Sequence, residues 1–237
     1  MSGDAVAFDL TIIHALNGFA GASPTIDRAI YVVASSHLLK GGVLLALLWW
    51  CWARRTGQPL GSDLYAVRTL AGALVAIAVG RLMQNELPMR LRPAHDPAVD
   101  MYVPPYVKIE TLDGWSSFPS DHAVLFFALA TAVWWSSRPL GLLAYLWTLV
   151  VICLPRVYLG LHFPTDILGG AVVGVLVMVA ALRVPLPAFL PAWMGRLQAA
   201  RPGLVYSATF LVTLQMATLF EDSRRLLSGV AQVLLGK

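Results

Sequence analysis

The feature that most restricts what this chain can fold into is a series of apolar runs of membrane-spanning length. Crossing a bilayer in a helix takes about 20 mostly apolar residues. Six stretches come near that: Ile26 to Trp52, Leu64 to Gln84, Ala123 to Ser136, Leu140 to Leu154, Ile167 to Leu182 and Leu204 to Phe220. A single water-facing core has no need of such runs, so the sequence predicts an all-α, polytopic membrane bundle of six transmembrane helices forming one domain over residues 1–237. Composition agrees, because 13% of the 237 residues are charged and 58% are apolar, whereas soluble domains carry about 25% charged residues. The formal net charge of +4 is scattered singly or in pairs between apolar blocks, which argues against a nucleic-acid partner. Cys51 and Cys153 sit inside apolar runs with neither metal-ligand spacing nor a disulfide framework. The first residues lack a basic segment followed by a cleavable apolar core, so the first spanning helix is expected to direct insertion.

The connecting segments are unequal. Phe8 to Phe19 has apolar residues at helical spacing, interrupted by His14 and Asn17, and predicts an amphipathic helix lying in the interface. Ser223 to Leu235 has a similar character. Arg54 to Asp63 and the Pro-rich Arg183 to Pro202 have the composition of ordinary loops. Glu86 to Phe118 is different: long structureless loops are usually functional or disordered, and Tyr102, Tyr106 and Trp115 predict an ordered piece at the membrane surface. His37 and Lys40 interrupt the first run, as a helix break or a snorkelling side chain. Arginines concentrate in the first, third and fifth connections, and acids in the second and fourth. The positive-inside rule therefore places the long loop outside the cytoplasm, with a site facing the periplasm or exterior.

The second and fourth connections also hold nearly every polar group with catalytic potential. Arg90, Arg92 and Pro93 follow the second run; Pro119, Ser120, Asp121 and His122 open the third; Arg156, His162, Pro164 and Asp166 open the fifth. Ser120 stands where a helix N-cap belongs, so free N–H groups and the positive end of the helix dipole would favour an anion there. Arg92 and Arg156 supply planar, permanently charged forks suited to phosphate oxygens. Asp166 falls in the first turn behind His162, where a carboxylate holds one imidazole nitrogen and leaves the other as a nucleophile. Singly, these are ordinary interfacial arginines, a cap and helix-end histidines; jointly they point to catalysis, because ionisable groups at a membrane edge are costly and usually functional. A metal site from His122, His162 and Asp166 has no tight ligand pair behind it.

Arg92-Pro93, then Pro119-Ser120-Asp121-His122, then Arg156 to His162 and on to Asp166, resembles the three-part signature of the type 2 phosphatidic acid phosphatase superfamily. The motif core covers about residues 64–182. The Pro-Ser-Asp-His segment, Ala15-Leu16-Asn17-Gly18, and the run from His162 to Gly170 look like bacterial undecaprenyl-diphosphate phosphatases of the bacitracin-resistance type. The resemblance implies that His162 attacks phosphorus, Asp166 orients it, Arg92, Arg156 and Ser120 hold the phosphoryl oxygens, and His122 protonates the leaving group. It implies no cofactor or metal, a polyprenyl or glycerolipid phosphate as substrate, and a multi-pass protein of the bacterial cytoplasmic membrane. Undecaprenyl diphosphate is the expected substrate. Phosphatidate or phosphatidylglycerol phosphate is the alternative, and a catalytically silent lipid-binding scaffold a third reading.

The chain departs from the pattern in three places. The lysine usual seven residues before the motif arginine is Asn85 here, which removes one cation from the expected cradle. Arg81, one helical turn earlier on the same face, is the expected substitute, with Arg90 its rival and Lys40 a further candidate. Pro155 replaces a serine. Asp121 replaces a glycine beside the phosphate site, where its carboxylate would repel substrate unless turned away.

Overall fold

The structure, a computed structural model, describes residues 3–54, 61–109, 114–187 and 189–221. Among the described residues ten α-helices follow one another: α1 (Gly3–Asn17), α2 (Pro24–Ser35), α3 (Val43–Ala53), α4 (Gly61–Glu86), α5 (Asp121–Ser136), α6 (Arg138–Trp147), α7 (Leu154–Tyr158), α8 (Pro164–Arg183), α9 (Phe189–Ala200) and α10 (Pro202–Ala217). Wider π-type turns at Leu38–Gly42 and Thr148–Cys153 join α2 to α3 and α6 to α7. No strand forms among the described residues. The all-helical expectation holds.

Length and composition support fewer spans than the six expected. Among the described residues three helical stretches qualify, Leu64–Glu86, Arg138–Tyr158 and Pro164–Arg183. Pro24–Ser35 and Leu38–Ala53 make a fourth only when taken together, bent by 59° at the break. Helices α5 and α10 have 16 residues each, about 24 Å at 1.5 Å per residue. The segment expected as a plain loop from Arg183 to Pro202 contains α9. Ser223 to Leu235 lies outside the described residues.

Helix α5 is apolar all round, as a helix surrounded by others must be: Ala123 to Phe126 and Ala128 to Val133 are all buried. Helices α4, α6 and α8 pack directly on it. The closest approach is that of α8, and glycine permits it. A Cβ at Gly170 would meet the Ser120 carbonyl at 2.8 Å, and one at Gly174 would strike the Val124 carbonyl. Without hydrophobic drive between helices in lipid, such close backbone packing is a main source of association. The opposite face of α8 carries Leu168, Val172 and Leu176, each more than half exposed. An apolar stripe of that kind suits lipid; the protein is a multi-pass membrane protein.

Helix α1 departs from a simple interfacial helix. The residues it turns inward at four-residue spacing are Asp9, Ile13 and Asn17, all buried. Asn17 accepts from the Tyr102 N–H and donates to the Tyr102 carbonyl, both at 2.7 Å, tying α1 to the long loop. Tyr106 stacks edge-on against Tyr31 of α2 with centroids 5.0 Å apart. The described part of the Glu86 to Phe118 segment is thus pinned to the bundle at several points, as its aromatic residues led us to expect.

Candidate active site

Four elements bring the motif residues to one end of the bundle: the chain leaving α4, the starts of α5 and α8, and the end of α7. Gly160, with φ of +72°, takes the left-handed conformation that reverses the chain after α7. Its carbonyl accepts from Ala94 N–H at 2.9 Å, holding the segment after Arg92 against the segment before His162. Ser117 adds a second seam, its N–H donating to the Arg90 carbonyl at 2.9 Å and its hydroxyl to the Leu91 carbonyl at 3.1 Å.

His162 is buried, and its surroundings decide its tautomer. Nδ1 lies 3.0 Å from the Ser117 carbonyl and 3.5 Å from Oδ2 of Asp166, both acceptors. Nε2 lies 3.2 Å from Nη1 of Arg92, which can only donate. The proton therefore belongs on Nδ1, and the lone pair on Nε2 faces the guanidinium that would hold a phosphoryl oxygen. Burial lowers the His162 pKa below the usual histidine value, its hydrogen bond to Asp166 raises it in part, and Arg92 lowers it again. The imidazole is held neutral, as a nucleophile needs.

Asp166 sits at the third position of α8, where a carboxylate complements the helix start. Oδ2 accepts from the Phe163 N–H at 2.7 Å, and Oδ1 accepts from Arg90 Nη1 at 2.5 Å. Arg90 in turn donates through Nη2 to Asp9 at 2.7 Å and lies 4.2 Å above the Phe163 ring. Asp9 also accepts from the Thr165 N–H (2.8 Å) and hydroxyl (2.6 Å). Arg90 is therefore the clamp between two carboxylates rather than a free phosphate ligand. Asp9 is absent from the sequence-based set; its available signal is an acid between apolar residues of α1, costly to bury unless paired.

The phosphate-binding expectations divide. Arg92 donates to the Leu161 carbonyl at 2.7 Å, and its Nε is buried without a partner among the described residues. Burial lowers its pKa, and Asp121 and Asp166 oppose that shift. Ser120 caps α5 with no side-chain capping bond, so its fully buried hydroxyl also has no partner there. Buried donors without partners are rare, and an anion beside His162 is what these two could satisfy. Arg156 bridges two backbones, donating to the Ile152 carbonyl and, at 3.3 Å, to the Ala34 carbonyl at the end of α2. Burial, and then the charges of Arg156, Lys40, His162 and Arg92, push the His122 pKa well below the usual histidine value.

Arg81 and Asp121 pair with each other beside this site, and both charges bear on Arg92. Asp121 pairs with Arg81 Nη2 at 2.6 Å and accepts from Gln84 Nε2 at 2.8 Å, while Arg81 stacks on Trp115 at 5.0 Å. The carboxylate is thereby paired with two side chains of α4, and the Arg81 guanidinium has an acidic partner of its own. Among the described residues, no group of three His, Cys, Asp or Glu side chains is placed to hold a metal ion.

Comparison with known proteins follows the same lines. Over 178 residues the chain is 29% identical to YbjG of Escherichia coli (strain K12), a protein provisionally named an undecaprenyl-diphosphatase, covering 71% of this chain and 78% of that one. It is 35% identical over 66 residues to the undecaprenyl-diphosphatase BcrC of Bacillus subtilis (strain 168), spanning 26% of this chain and about a third (32%) of that protein. A solved structure, the transmembrane PAP2 type phosphatidylglycerolphosphate phosphatase of Bacillus subtilis, has the same fold with a TM-score of 0.52 at 21% identity, over 76% of this chain and 86% of that one. The model of the PAP2 superfamily matches residues 69–189, which hold all three motifs. The chain belongs to the PAP2 superfamily and is a membrane hydrolase acting on phosphate esters.

Proposed function

We propose that the protein removes the terminal phosphate of a polyprenyl diphosphate, undecaprenyl diphosphate in the first instance, through a phosphohistidine on His162. The observation that carries this reading is the fixed Nε2 lone pair of His162, 3.2 Å from Arg92, beside the unpartnered donors of Arg92 and Ser120. In phosphoryl transfer, positioning and charge stabilisation account for most of the barrier reduction. Here Nε2 attacks phosphorus while Arg92, Arg156 and Ser120 bind the equatorial oxygens. Asp166 and the Ser117 carbonyl hold the imidazolium that forms. His122 stands on the leaving-group side, and water then hydrolyses the phosphoenzyme.

The names of YbjG and BcrC support the diphosphate, as do the Pro-Ser-Asp-His segment and the run from His162 to Gly170. The charge asymmetry of the connections supports a site facing away from the cytoplasm in the cytoplasmic membrane. The test is phosphate release by purified protein in detergent and EDTA, comparing undecaprenyl diphosphate, phosphatidate and phosphatidylglycerol phosphate. Preference for the diphosphate, and its loss in His162→Ala, is the expected result. Release that survives in His162→Ala removes the nucleophile assignment, and no release from any lipid favours a silent scaffold.

A further inference from the structure

The cradle lacks the motif lysine, and both arginines expected to replace it are engaged elsewhere, Arg81 by Asp121 and Arg90 by Asp9 and Asp166. Lys40 is a further buried cation near them, and among the described residues it has no carboxylate partner. Lys40 is 8% exposed, and among the described residues its ammonium makes no hydrogen bond or ion pair. It sits in the π-type turn that breaks the first apolar run. Around it, Trp147 donates to the Leu39 carbonyl at 2.8 Å, Gly41 packs against the Ala217 backbone, and Arg156 reaches the Ala34 carbonyl at the end of α2. A charge buried this way is strongly destabilising unless an anion meets it.

Its position is ordered along the site. Arg156 and Lys40 are the leading charges on His122, whereas the charges bearing on His162 are Arg92, Asp166 and Arg156. Lys40 itself feels Arg156 and Glu221, and Glu221 faces His37 at 3.5 Å. Arg156 joins these groups in space: its guanidinium reaches the Ala34 carbonyl at the end of α2, just before the turn that carries Lys40, at 3.3 Å. In-line displacement makes the leaving oxygen depart opposite the attacking nitrogen, on the side of His122 as the leaving-group acid of the proposed reaction.

We propose that Lys40 forms a second phosphate subsite, which binds the phosphate that stays on the lipid when a diphosphate is cleaved. This rests on the diphosphate reading above. As the His162 Nε2–P bond forms, the bond from phosphorus to the bridging oxygen breaks, and its electron pair leaves with the lipid monophosphate. Lys40 meets that growing negative charge. A monophosphate substrate has no phosphate at this position, so Lys40 is a specificity-determining residue.

The test uses two ligands with the same tail, farnesyl diphosphate and farnesyl phosphate, binding to the full-length protein in detergent. In the inactive His162→Ala background, Lys40→Met is expected to weaken diphosphate binding by about tenfold or more, the loss of one charge-assisted hydrogen bond. Monophosphate binding is expected to weaken by less than about threefold, consistent with a distant screened charge, and Lys40→Arg to restore much of the diphosphate affinity. Equal loss on both ligands, or no loss on either, overturns the subsite; retained monophosphate binding also reports that Lys40→Met is folded. Turnover by the wild-type protein is scored separately. Absence of diphosphate hydrolysis there, with the binding difference intact, sinks the proposed activity and leaves the subsite standing.

Discussion

Arg90 and Asp9 meet at 2.7 Å across 81 positions of sequence, and through that contact a helix outside the motif core reaches the proposed nucleophile, His162. Arg90 passes the constraint to Asp166, whose other oxygen lies 3.5 Å from His162 Nδ1. Removing Asp9 leaves Arg90 with one carboxylate fewer and Thr165 without its acceptor. Asp9→Asn is expected to lower kcat by about 10- to 100-fold, the usual effect of losing an orienting partner once removed from the reacting group. KM should change by less than about threefold, because none of these groups binds the substrate in the ground state. A matched rise in KM would point to general disruption instead. Arg90→Lys should restore little, since a point charge cannot span two carboxylates.

The neutral state of His162 carries a pH signature. A nucleophilic imidazole works when deprotonated, so activity fails as pH falls through its pKa. Burial places that pKa below the ordinary value, so the acid limb of kcat/KM should lie below about 6.5. Asp166 contributes in the raising direction. Asp166→Asn should therefore move the limb further toward acid while lowering the rate at every pH. Profiles of the two proteins on one substrate cancel the substrate's own titration, and a limb that moves upward in Asp166→Asn would contradict the arrangement.

His122 gives a prediction that depends on leaving-group chemistry. A diphosphate expels a phosphate monoester, which needs little protonation, whereas phosphatidate expels an alkoxide, which needs an acid. His122→Ala should lower phosphatidate hydrolysis at least about tenfold more than diphosphate hydrolysis, within the range typical of general-acid catalysis. Equal losses on both substrates would remove the acid role. The substrates should be compared on one preparation.

Helix packing offers a test of stability independent of chemistry. Gly174 of α8 faces the Val124 carbonyl of α5 with no room for a side chain. Gly174→Leu should separate the two helices and destabilise the fold by about 2 to 4 kcal/mol, the upper range for overpacking a tight contact. Thermal unfolding in detergent should show this as a lower midpoint. Gly203, which has open space around it, is the control, and Gly203→Ala should leave the midpoint within about 2 °C.

Sequence alone determined that the chain is helical and membrane-bound, and it named His162, Asp166, Arg92, Arg156, Ser120 and His122 as the proposed site. Apolar run length and motif spacing are local properties, read along the chain, and the helices have to carry them wherever they pack. Tertiary structure decided which charges cancel. Asp121 and Arg81 look like site residues in sequence, yet they pair with each other; Asp9 looks like a stray acid in an apolar helix, yet it anchors the clamp on Asp166. It also decided that the first run breaks at the turn carrying Lys40 and that this residue is buried. The physical reason is that a charge is stabilised by whatever lies within a few ångströms of it, and those neighbours come from segments 35 to 160 positions away, where no periodicity or spacing points.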